Sequence, residues 1–229
     1  MGGVLVTGSA GTVGRVVVRH LEARGFTVRG YDLVDGDDLF DADRLAAATA
    51  GCDAVVHSAA IPHDSLGTRD QICRVNVDGT VRVLRAAEAA GVGRVVCIST
   101  IQVFGFVERE AIPRYLPIDD DHPRLSMRAY GRSKILTEDL CAQWTERTGV
   151  PTVVLRPSRV LNDEQYARFG PSDMELGLHV HADDLAVAVE RALVAPVPPH
   201  LRATITAGGV FDTRVARDAL GWTPSRVLR

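Results

Sequence analysis

Short apolar runs alternate along the chain with longer segments in which apolar residues recur every three or four positions. The short runs are rich in Val and Ile and almost continuously apolar, which is typical of strands buried on both faces of a sheet. They predict strands at Gly3–Thr7, Thr27–Asp32, Ala54–Ser58, Arg94–Ser99, Thr152–Arg156 and Ala203–Thr206. The longer segments predict helices at Thr12–Arg24, Ala42–Ala50, Asp70–Ala90, Arg128–Thr148, Asp183–Ala195 and Thr213–Leu220.

The order of these elements indicates the fold class. Strands that alternate with helices favour right-handed βαβ units and a parallel sheet, so we expect a doubly wound α/β architecture. Glycines at positions 25, 91 and 149 follow three of the predicted helices, where they would end the helix in a left-handed conformation. The Pro-containing segment Gly105–Arg128 is a long irregular loop, and such loops in compact domains usually serve a function.

Composition narrows the range of partners. The chain has 229 residues, 46% of them hydrophobic and 24% charged, which suits one large domain. Its net charge is −3 and no stripe of like charge stands out, so neither a nucleic acid nor a membrane is expected as a partner. The N-terminus lacks the features of a secretory signal, and no two of the four cysteines form a CxxC. We therefore expect reduced thiols and a cytoplasmic protein.

A glycine-rich turn joins the first predicted strand to the first predicted helix. Its spacing is GxxGxxG, in which glycines allow a tight turn and let helix amides approach a pyrophosphate. Asp32 ends the second strand, where a carboxylate accepts hydrogen bonds from an adenosine ribose and disfavours a 2′-phosphate. These features predict a dinucleotide site that prefers NAD to NADP. The expected turn contacts are Gly8, Ala10, Gly11, Thr12, Val13 and Gly14.

Several motifs occur in an order that resembles the extended branch of the short-chain dehydrogenase/reductase superfamily, the NAD-dependent epimerase/dehydratase family. Beyond the glycine turn they are Asp38-Leu39, His57-Ser58-Ala59-Ala60, Asn76, Ser99-Thr100 ahead of Val103-Phe104-Gly105, Tyr130 with Lys134, Leu155-Arg156-Pro157, His181–Leu185 and Leu220–Pro224. The resemblance implies a Rossmann-like doubly wound parallel sheet with a small C-terminal substrate-binding cap. Residues 1–156 would form the dinucleotide-binding core. Residues 157–229 would form a reduced substrate-binding region interleaved with the end of that core.

The resemblance also implies further contacts with the dinucleotide and a homodimer formed by the helices Asp70–Ala90 and Arg128–Thr148. Asn76 has three open roles: a structural residue, a proton relay or an internal helix cap. Ser99 is expected to be the structural partner of Thr100, since successive strand side chains point to opposite faces. The expected cofactor contacts outside the glycine turn are Asp32, Asp38, Leu39, Ser58, Ala59, Ala60, Asn76, Ser99, Tyr130, Lys134, Pro157 and Ser158.

Tyr130 and Lys134 lie one helical turn apart in a YxxxK motif, and Lys134 is the only lysine among 26 basic residues. By the resemblance, Tyr130 is the general acid/base, Thr100 polarises the substrate oxygen and Lys134 binds the nicotinamide ribose. A buried ammonium beside a phenol favours the phenolate, so we expect Lys134 to lower the pKa of Tyr130 from about 10.

The chain departs from its relatives around the predicted substrate site. Sugar-nucleotide dehydratases carry Asp-Glu, and uronate-oxidising members Asn-His, where this chain has Ile101-Gln102, so neither reaction is favoured. Only 23 residues separate Pro157 from His181, which is cramped for a nucleotide diphosphate. Arg159, Arg168, Tyr166 and Phe169 are candidate contacts for one. The expected substrate contacts are Ile101, Gln102, Phe104 and Arg159.

The function that these features favour is an NAD(P)-dependent oxidoreductase acting on a hydroxyl or carbonyl carbon of a small or moderately apolar molecule. One alternative is a sugar epimerase that oxidises transiently with bound NAD. Another is a non-catalytic dinucleotide-binding regulator, against which the Tyr–Lys pair argues. Asp119–His122 and the pair His179 and His181 are predicted to be loop and strand residues, with no metal site.

Overall fold

The computed structural model describes residues 2–168 and 175–226. Within these ranges the chain forms two parallel sheets. The strands are β1 (Gly3–Thr7), β2 (Thr27–Tyr31), β3 (Ala54–His57), β4 (Arg94–Ile98), β5 (Thr152–Pro157), β6 (Arg159–Leu161), β7 (His179–His181) and β8 (His200–Ile205). The central sheet has the order β2-β1-β3-β4-β5-β8, and β6 pairs with β7 in the small sheet. This topology confirms the predicted doubly wound parallel sheet.

Helices connect the strands and cover both faces of the central sheet. They are α1 (Thr12–Ala23), α2 (Ala42–Thr49), α3 (Arg69–Cys73), α4 (Gly79–Ala89), α5 (Ala129–Thr148), α6 (Asp163–Ala167), α7 (Ala182–Val194) and α8 (Arg214–Leu220). Short 3₁₀ turns span Leu33–Asp35, Asp64–Leu66 and Ile101–Phe104. The glycines at 25, 91 and 149 have φ values of 82°, 68° and 74°, as expected for residues that end helices.

Strand alternation divides the core into two apolar clusters. Val4 and Val6 of β1 belong to a cluster with residues of α1 and α7. Leu5, between them, belongs to a cluster on the opposite face with residues of α2 and α4. Because successive side chains of a strand point to opposite faces, one nearly continuous apolar run fills both clusters. This is why the strands could be recognised from short apolar runs.

The predicted helix Asp70–Ala90 differs from the observed structure. It is divided into α3 and α4 by a π-helical turn at Arg74–Asp78. Within this turn the backbone carbonyl of Asn76 accepts hydrogen bonds from Thr80 Oγ1 at 2.6 Å and Thr137 Oγ1 at 3.2 Å. These side-chain bonds satisfy a carbonyl that lies where the regular helical pattern is interrupted.

The C-terminal third of the chain contributes to the central sheet as well as to the region above it. β8 pairs with β5 over its whole length, and α7 packs on α1. Glu190 of α7 joins the two helices, since its carboxylate binds His20 Nε2 at 2.7 Å and Arg24 Nε at 3.0 Å. The predicted boundary at residue 156, between a dinucleotide-binding core and a substrate-binding region, stays a prediction. None of the helices formed by the described residues is long and apolar enough to cross a membrane.

Candidate active site

A cavity of about 600 Å³ opens above the carboxyl edge of the central sheet. The ends of parallel strands meet at this edge, which is where open α/β sheets bind their ligands. The residues in its wall come from the glycine turn, from the segments after β3, β4 and β5, and from α5. Those predicted to contact a cofactor are Val13, Ser58, Ala60, Ser99, Tyr130, Lys134, Pro157 and Ser158.

The glycine turn approaches its neighbours so closely that side chains would not fit. Gly8 has φ of +71°, and a Cβ there would lie 2.6 Å from the backbone nitrogen of Ala59. A Cβ on Gly14 would lie 2.0 Å from the carbonyl oxygen of Gly8. α1 begins after Gly11, and no side chain of the described residues caps this helix end. The turn thus forms a close-fitting cradle beside amides that favour an anion, which fits a pyrophosphate.

Asp32 joins the end of β2 to the glycine turn. Its Oδ2 accepts a hydrogen bond from the amide of Ala10 at 2.9 Å, and its Oδ1 accepts one from the amide of Val34 at 3.0 Å. The carboxylate is therefore fixed beside the turn, and it keeps lone pairs for a ribose. Asp38 is exposed, whereas Leu39 is buried against Gly79. Dinucleotide contacts by these two residues stay predictions.

Asn76 holds the segment after β3 in place. Its Oδ1 accepts from the amide of Ile61 at 2.8 Å, and its Nδ2 donates to Ile61 O at 3.1 Å and to Ser133 Oγ at 2.9 Å. The side chain is 1% exposed and does not line the cavity. These bonds support the structural role among the three that the sequence left open. Direct contact with the cofactor stays a prediction.

Ser158 offers a second polar group for a ligand. It follows β5, lines the cavity, and its hydroxyl is buried without a hydrogen-bond partner among the described residues. Buried polar groups in native proteins are nearly always paired, so an unpaired hydroxyl in a cavity wall points to a bound ligand. Together with the glycine cradle and Asp32, this hydroxyl makes the cavity suitable for a nicotinamide dinucleotide.

Thr100 and Tyr130 meet in the cavity from different elements. Thr100 follows β4, and Tyr130 lies in the first turn of α5. Both side chains line the cavity, and the two residues are each 7% exposed. Asp64 accepts a hydrogen bond from the amide of Tyr130 at 3.1 Å, which satisfies one free donor at the start of α5.

Lys134 lies one turn beyond Tyr130 on the same helix face. Its Nζ donates a hydrogen bond to the carbonyl oxygen of Ile98 at 2.8 Å, and the residue is 4% exposed. Burial lowers the pKa of Lys134, while Cys97, Cys141 and Glu138 act in the opposite direction. The ammonium is therefore anchored to the end of β4, inside the wall of the cavity.

The pKa of Tyr130 does not follow the sequence-based expectation. Burial raises it to about 12, and this effect outweighs that of the Thr100 hydroxyl, which lowers it. The ammonium of Lys134 donates to the backbone of β4. The expected decrease is thus wrong for this structure, and the phenol is protonated throughout the neutral range.

Ser99 has a buried partner of its own, as expected for the structural neighbour of Thr100. Its hydroxyl donates to Glu138 Oε1 at 2.6 Å in a fully buried contact. This places the hydroxyl in a structural role, although Ser99 also forms part of the cavity wall. A cofactor contact by Ser99 stays a prediction.

The predicted substrate contacts divide into two groups. Ile101, Gln102 and Arg159 line the cavity. Phe104 does not: it is 1% exposed and lies in an apolar cluster with Ile118 and Phe211. The expectation for Phe104 is therefore wrong, because the tight 3₁₀ turn from Ile101 to Phe104 directs the last side chain away from the cavity.

Several cavity residues were not predicted from the sequence. Val107 and Glu108 come from the long irregular loop, and Leu178 precedes β7. Glu108 pairs with Arg128 at 3.4 Å, next to the start of α5. Only the length of the loop pointed to this region. His63, from the segment after β3, also lines the cavity.

The remaining candidate clusters are accounted for by contacts within the protein. Asp120 accepts a hydrogen bond from Thr204 Oγ1 at 2.7 Å, and His122 Nε2 accepts one from the amide of Arg114 at 2.9 Å. The described residues contain no group of His, Cys, Asp and Glu side chains suited to a metal ion. His179 and His181 both pack against the ring of Tyr166, with centroid distances of 5.2 and 5.5 Å.

The groups suggested for a nucleotide diphosphate are dispersed. Arg168 is exposed and pairs with Glu164 at 2.9 Å. Tyr166 is buried between the two histidines of β7, so its ring faces are not open as a platform. Phe169 lies outside the described residues. Arg159 is the cation of this set that lines the cavity.

Comparison with known proteins gives a consistent family. The family model described as "NAD dependent epimerase/dehydratase family" matches residues 4–175. The chain is 28% identical over 209 residues to a uronate dehydrogenase of Pseudomonas syringae pv. tomato, covering 86% of this chain and 71% of the relative. It is 31% identical over 217 residues to an L-arabinose 1-dehydrogenase (NAD(P)(+)) of Haloferax volcanii, covering 86% and 85%.

A solved structure extends the similarity to the whole described fold. A short-chain dehydrogenase/reductase superfamily protein from Agrobacterium tumefaciens, crystallised with bound NAD, superimposes with a TM-score of 0.81 at 27% identity. The match covers 98% of this chain and 93% of that protein. The architecture, including the six-stranded parallel sheet, is therefore that of the superfamily.

Proposed function

The chain belongs to the NAD-dependent epimerase/dehydratase family, and from this premise we propose that it is an NAD(P)-dependent oxidoreductase of the short-chain type. It transfers hydride between nicotinamide and a carbon that bears a hydroxyl or carbonyl group. The observation that carries the proposal is the meeting of Thr100, Tyr130 and Lys134 in the wall of one cavity. Its other wall contains the unpaired Ser158 hydroxyl and the end of the glycine turn.

The cofactor is NAD, with NADP less favoured. The glycine turn would hold the pyrophosphate, Asp32 the adenosine ribose, and Lys134 and Ser158 the nicotinamide end. When bound, the nicotinamide supplies the acceptor or donor of hydride. Arg29 does not offset the charge of Asp32, because its guanidinium donates to the carbonyl oxygens of Ala47 at 3.2 Å and Ala50 at 3.0 Å.

Tyr130 and Thr100 handle the substrate oxygen. During reduction, the Tyr130 hydroxyl donates its proton to the carbonyl oxygen, and the Thr100 hydroxyl donates a hydrogen bond to the same oxygen. During oxidation, the deprotonated form of Tyr130 accepts the hydroxyl proton as hydride leaves the same carbon. Burial keeps the phenol protonated near neutral pH, since it raises the pKa of Tyr130 to about 12. The resting site is thus prepared to donate a proton.

The cavity favours a small or moderately apolar substrate. Ile101, Val107 and Leu178 give it apolar walls. Gln102, Glu108 and Arg159 add polar groups that would orient hydroxyl or anionic substituents. The related enzymes named above act on uronates and L-arabinose, so small sugars and sugar acids belong among the first substrates to test.

The proposal extends to assembly and location. We place the protein in the cytoplasm, which the four free cysteines support. We also propose a homodimer through α4 and α5, by analogy with relatives. The two helices pack side by side, and Leu136 of α5 is 48% exposed. Sedimentation of the wild type against Leu136→Glu would test this assembly, with a monomeric wild type as the contradicting result.

Net turnover of free cofactor tests the proposed activity. Purified protein would be incubated with NAD or NADP and a panel of uronates, L-arabinose and secondary alcohols, and with the reduced cofactors and ketones. The expected result is stoichiometric conversion of the added cofactor for at least one substrate, read at the nicotinamide absorbance. Interconversion of sugar epimers without net cofactor turnover would favour an epimerase. Binding of NAD without any conversion would favour the non-catalytic alternative.

A further inference from the structure

Glu138 continues the row of functional side chains on α5. Tyr130, Lys134 and Glu138 follow one another at intervals of four residues and share one helix face. Glu138 is 1% exposed, so its carboxylate is held in the core directly behind the proposed active site. A charge so deeply buried is costly unless it is fully paired.

Arg156 of β5 pairs with this carboxylate through two parallel hydrogen bonds. Its Nε donates to Glu138 Oε1 at 2.9 Å, and its Nη2 donates to Glu138 Oε2 at 2.7 Å. Arg156 is 0% exposed and is fixed further by a bond from Nη1 to the carbonyl oxygen of Asp120 at 2.8 Å. A planar guanidinium bound at both ends gives the carboxylate one defined position.

Ser99 also bonds to Glu138 and links it to the reacting groups, and Arg124 Nη1 lies 3.4 Å from Glu138 Oε2. The Ser99 hydroxyl bonds to Oε1 at 2.6 Å from the end of β4, immediately before Thr100. Because Ser99 and Thr100 are adjacent in the chain, a bond that fixes Ser99 also restrains the backbone from which the Thr100 side chain extends into the cavity wall. Glu138 therefore connects the element that carries Thr100 to the helix that carries Tyr130.

We propose that Glu138, locked by Arg156, is a positioning residue that sets Thr100 against Tyr130 and supports the charge of Lys134. This proposal rests on the proposed oxidoreductase function. The carboxylate belongs to α5, and its two closest partners are Ser99, directly after β4, and Arg156 of β5. A shift of either strand relative to α5 would break a short hydrogen bond, so the contact defines the separation of the two reacting hydroxyl groups.

The electrostatic part of the proposal concerns the groups that surround Lys134. Cys97 of β4 and Cys141 and Glu138 of α5 raise the pKa of Lys134, against the effect of burial. His57 of β3 is also close enough for Lys134 to lower its pKa, and burial keeps that imidazole neutral, with a pKa of about 3. Burial raises the pKa of Glu138, but Arg156, Ser99 and Arg124 together lower it by more, so the carboxylate is ionised at neutral pH.

The first test uses the fact that Lys134 is the only lysine of the chain. Selective isotope labelling of lysine therefore gives a single side-chain NMR signal. Its titration is read without any need for assignment. In Glu138→Gln the midpoint is expected to move to lower pH, and in Glu138→Asp, which keeps the charge, to stay near the wild-type value. An unchanged midpoint in Glu138→Gln would overturn the electrostatic part, whether or not the protein has the proposed activity.

The second test separates positioning from simple stability. Thr145→Val is the matched control, since Thr145 is buried on the same helix and bonds to Thr152 Oγ1 at 2.7 Å, away from the cavity. With the substrate found in the panel, Glu138→Gln is expected to lower kcat by about 10- to 100-fold, with little change in the Kd for NAD. The pH at which kcat falls on the alkaline side is expected to be lower in Glu138→Gln than in the wild type. Thr145→Val is expected to change neither kcat nor this pH.

Ser99→Ala removes one hydrogen bond and leaves the ion pair intact, which provides a variant that folds if Glu138→Gln does not. It is expected to lower kcat by about threefold or more, because Thr100 loses its support from behind. Wild-type kcat in Ser99→Ala would overturn the positioning role, as would an equal loss of kcat in Thr145→Val. Absence of turnover in the wild type contradicts the oxidoreductase proposal instead.

Discussion

The side chains of Thr100 and Tyr130 lie together in the wall of the cavity, where the Thr100 hydroxyl acts to lower the pKa of the Tyr130 phenol. Thr100 follows β4 and Tyr130 lies in the first turn of α5, so two elements bring their hydroxyl groups to the point where a substrate oxygen would be received. Both groups are buried, and each is prepared to donate a hydrogen bond to the same oxygen. The proton chemistry of the site depends on this pair.

The first prediction concerns pH. Burial raises the pKa of Tyr130 to about 12, so its phenol is protonated below that pH and the phenolate fraction grows as pH rises toward it. The rate of alcohol oxidation is therefore expected to increase by about tenfold per pH unit through the neutral range, while carbonyl reduction stays nearly flat. Initial rates in both directions provide the measurement.

Tyr115 supplies a matched control for this profile. Its pKa is also raised to about 12, here by the hydrogen bond to Asp119, but it lies on the loop outside the cavity. Tyr115→Phe should leave both profiles unchanged. An oxidation rate that already levels off near neutral pH would show that another group accepts the proton.

The second prediction is a preference for NAD. Asp32 presents a fixed carboxylate beside the glycine turn, which repels the 2′-phosphate of NADP. The wild type should show a kcat/KM for NAD that is about tenfold or more above that for NADP. Asp32→Asn keeps one acceptor oxygen, enough for the amide of Ala10 or of Val34, and loses the charge, so it should reduce this ratio. Equal values in the wild type would refute selection by Asp32.

The third prediction distinguishes a wall residue from a core residue. Phe104 packs with Ile118 and Phe211, so Phe104→Leu is expected to lower the free energy of unfolding by about 1 kcal/mol and leave KM unchanged. Gln102 lines the cavity, so Gln102→Ala is expected to change KM and leave the free energy of unfolding within about 0.5 kcal/mol. Denaturant titration and steady-state kinetics measure the two effects. A change of KM in Phe104→Leu but not in Gln102→Ala would contradict the assignment of Gln102 to the cavity wall and Phe104 to the core.

The fourth prediction is that nucleotide sugars are poor ligands. Pro157 and His181 are separated by 23 residues, and Arg168 in this stretch pairs with Glu164 outside the cavity. Two phosphates need several cations, and a base needs an open platform, which the buried Tyr166 does not offer. Calorimetric titration of NAD-loaded protein with UDP-glucose and TDP-glucose should give no micromolar binding. Micromolar binding of either would favour an epimerase.

Local sequence patterns were sufficient to predict the central sheet and its carboxyl edge, where the site lies. Each strand is a short run of apolar residues, and each functional segment directly follows such a run, as Thr100 follows β4 and Ser158 follows β5. The glycine turn could be predicted because its spacing lies within one βα unit, where Gly14 is required by its close approach to the carbonyl oxygen of Gly8. These features depend on neighbours in sequence.

The features that could not be predicted depend on tertiary contacts. Glu138 and Arg156 are separated by 18 positions and pair only because α5 packs on β5. The pKa of Tyr130 is set by the depth of its burial, which the YxxxK spacing does not contain. Phe104 was assigned to the cavity by its proximity to Ile101 in sequence, but one tight turn was enough to direct it into the core.

Tyr130→Phe tests the central claim most directly, because it removes the phenolic oxygen and leaves the ring in place. Stopped-flow measurement of hydride transfer should show a rate lower by about 10²- to 10⁴-fold. Calorimetry should give nearly the same Kd for NAD as the wild type, since the glycine turn and Asp32 are intact. A Tyr130→Phe variant that transfers hydride at nearly the wild-type rate would contradict the account.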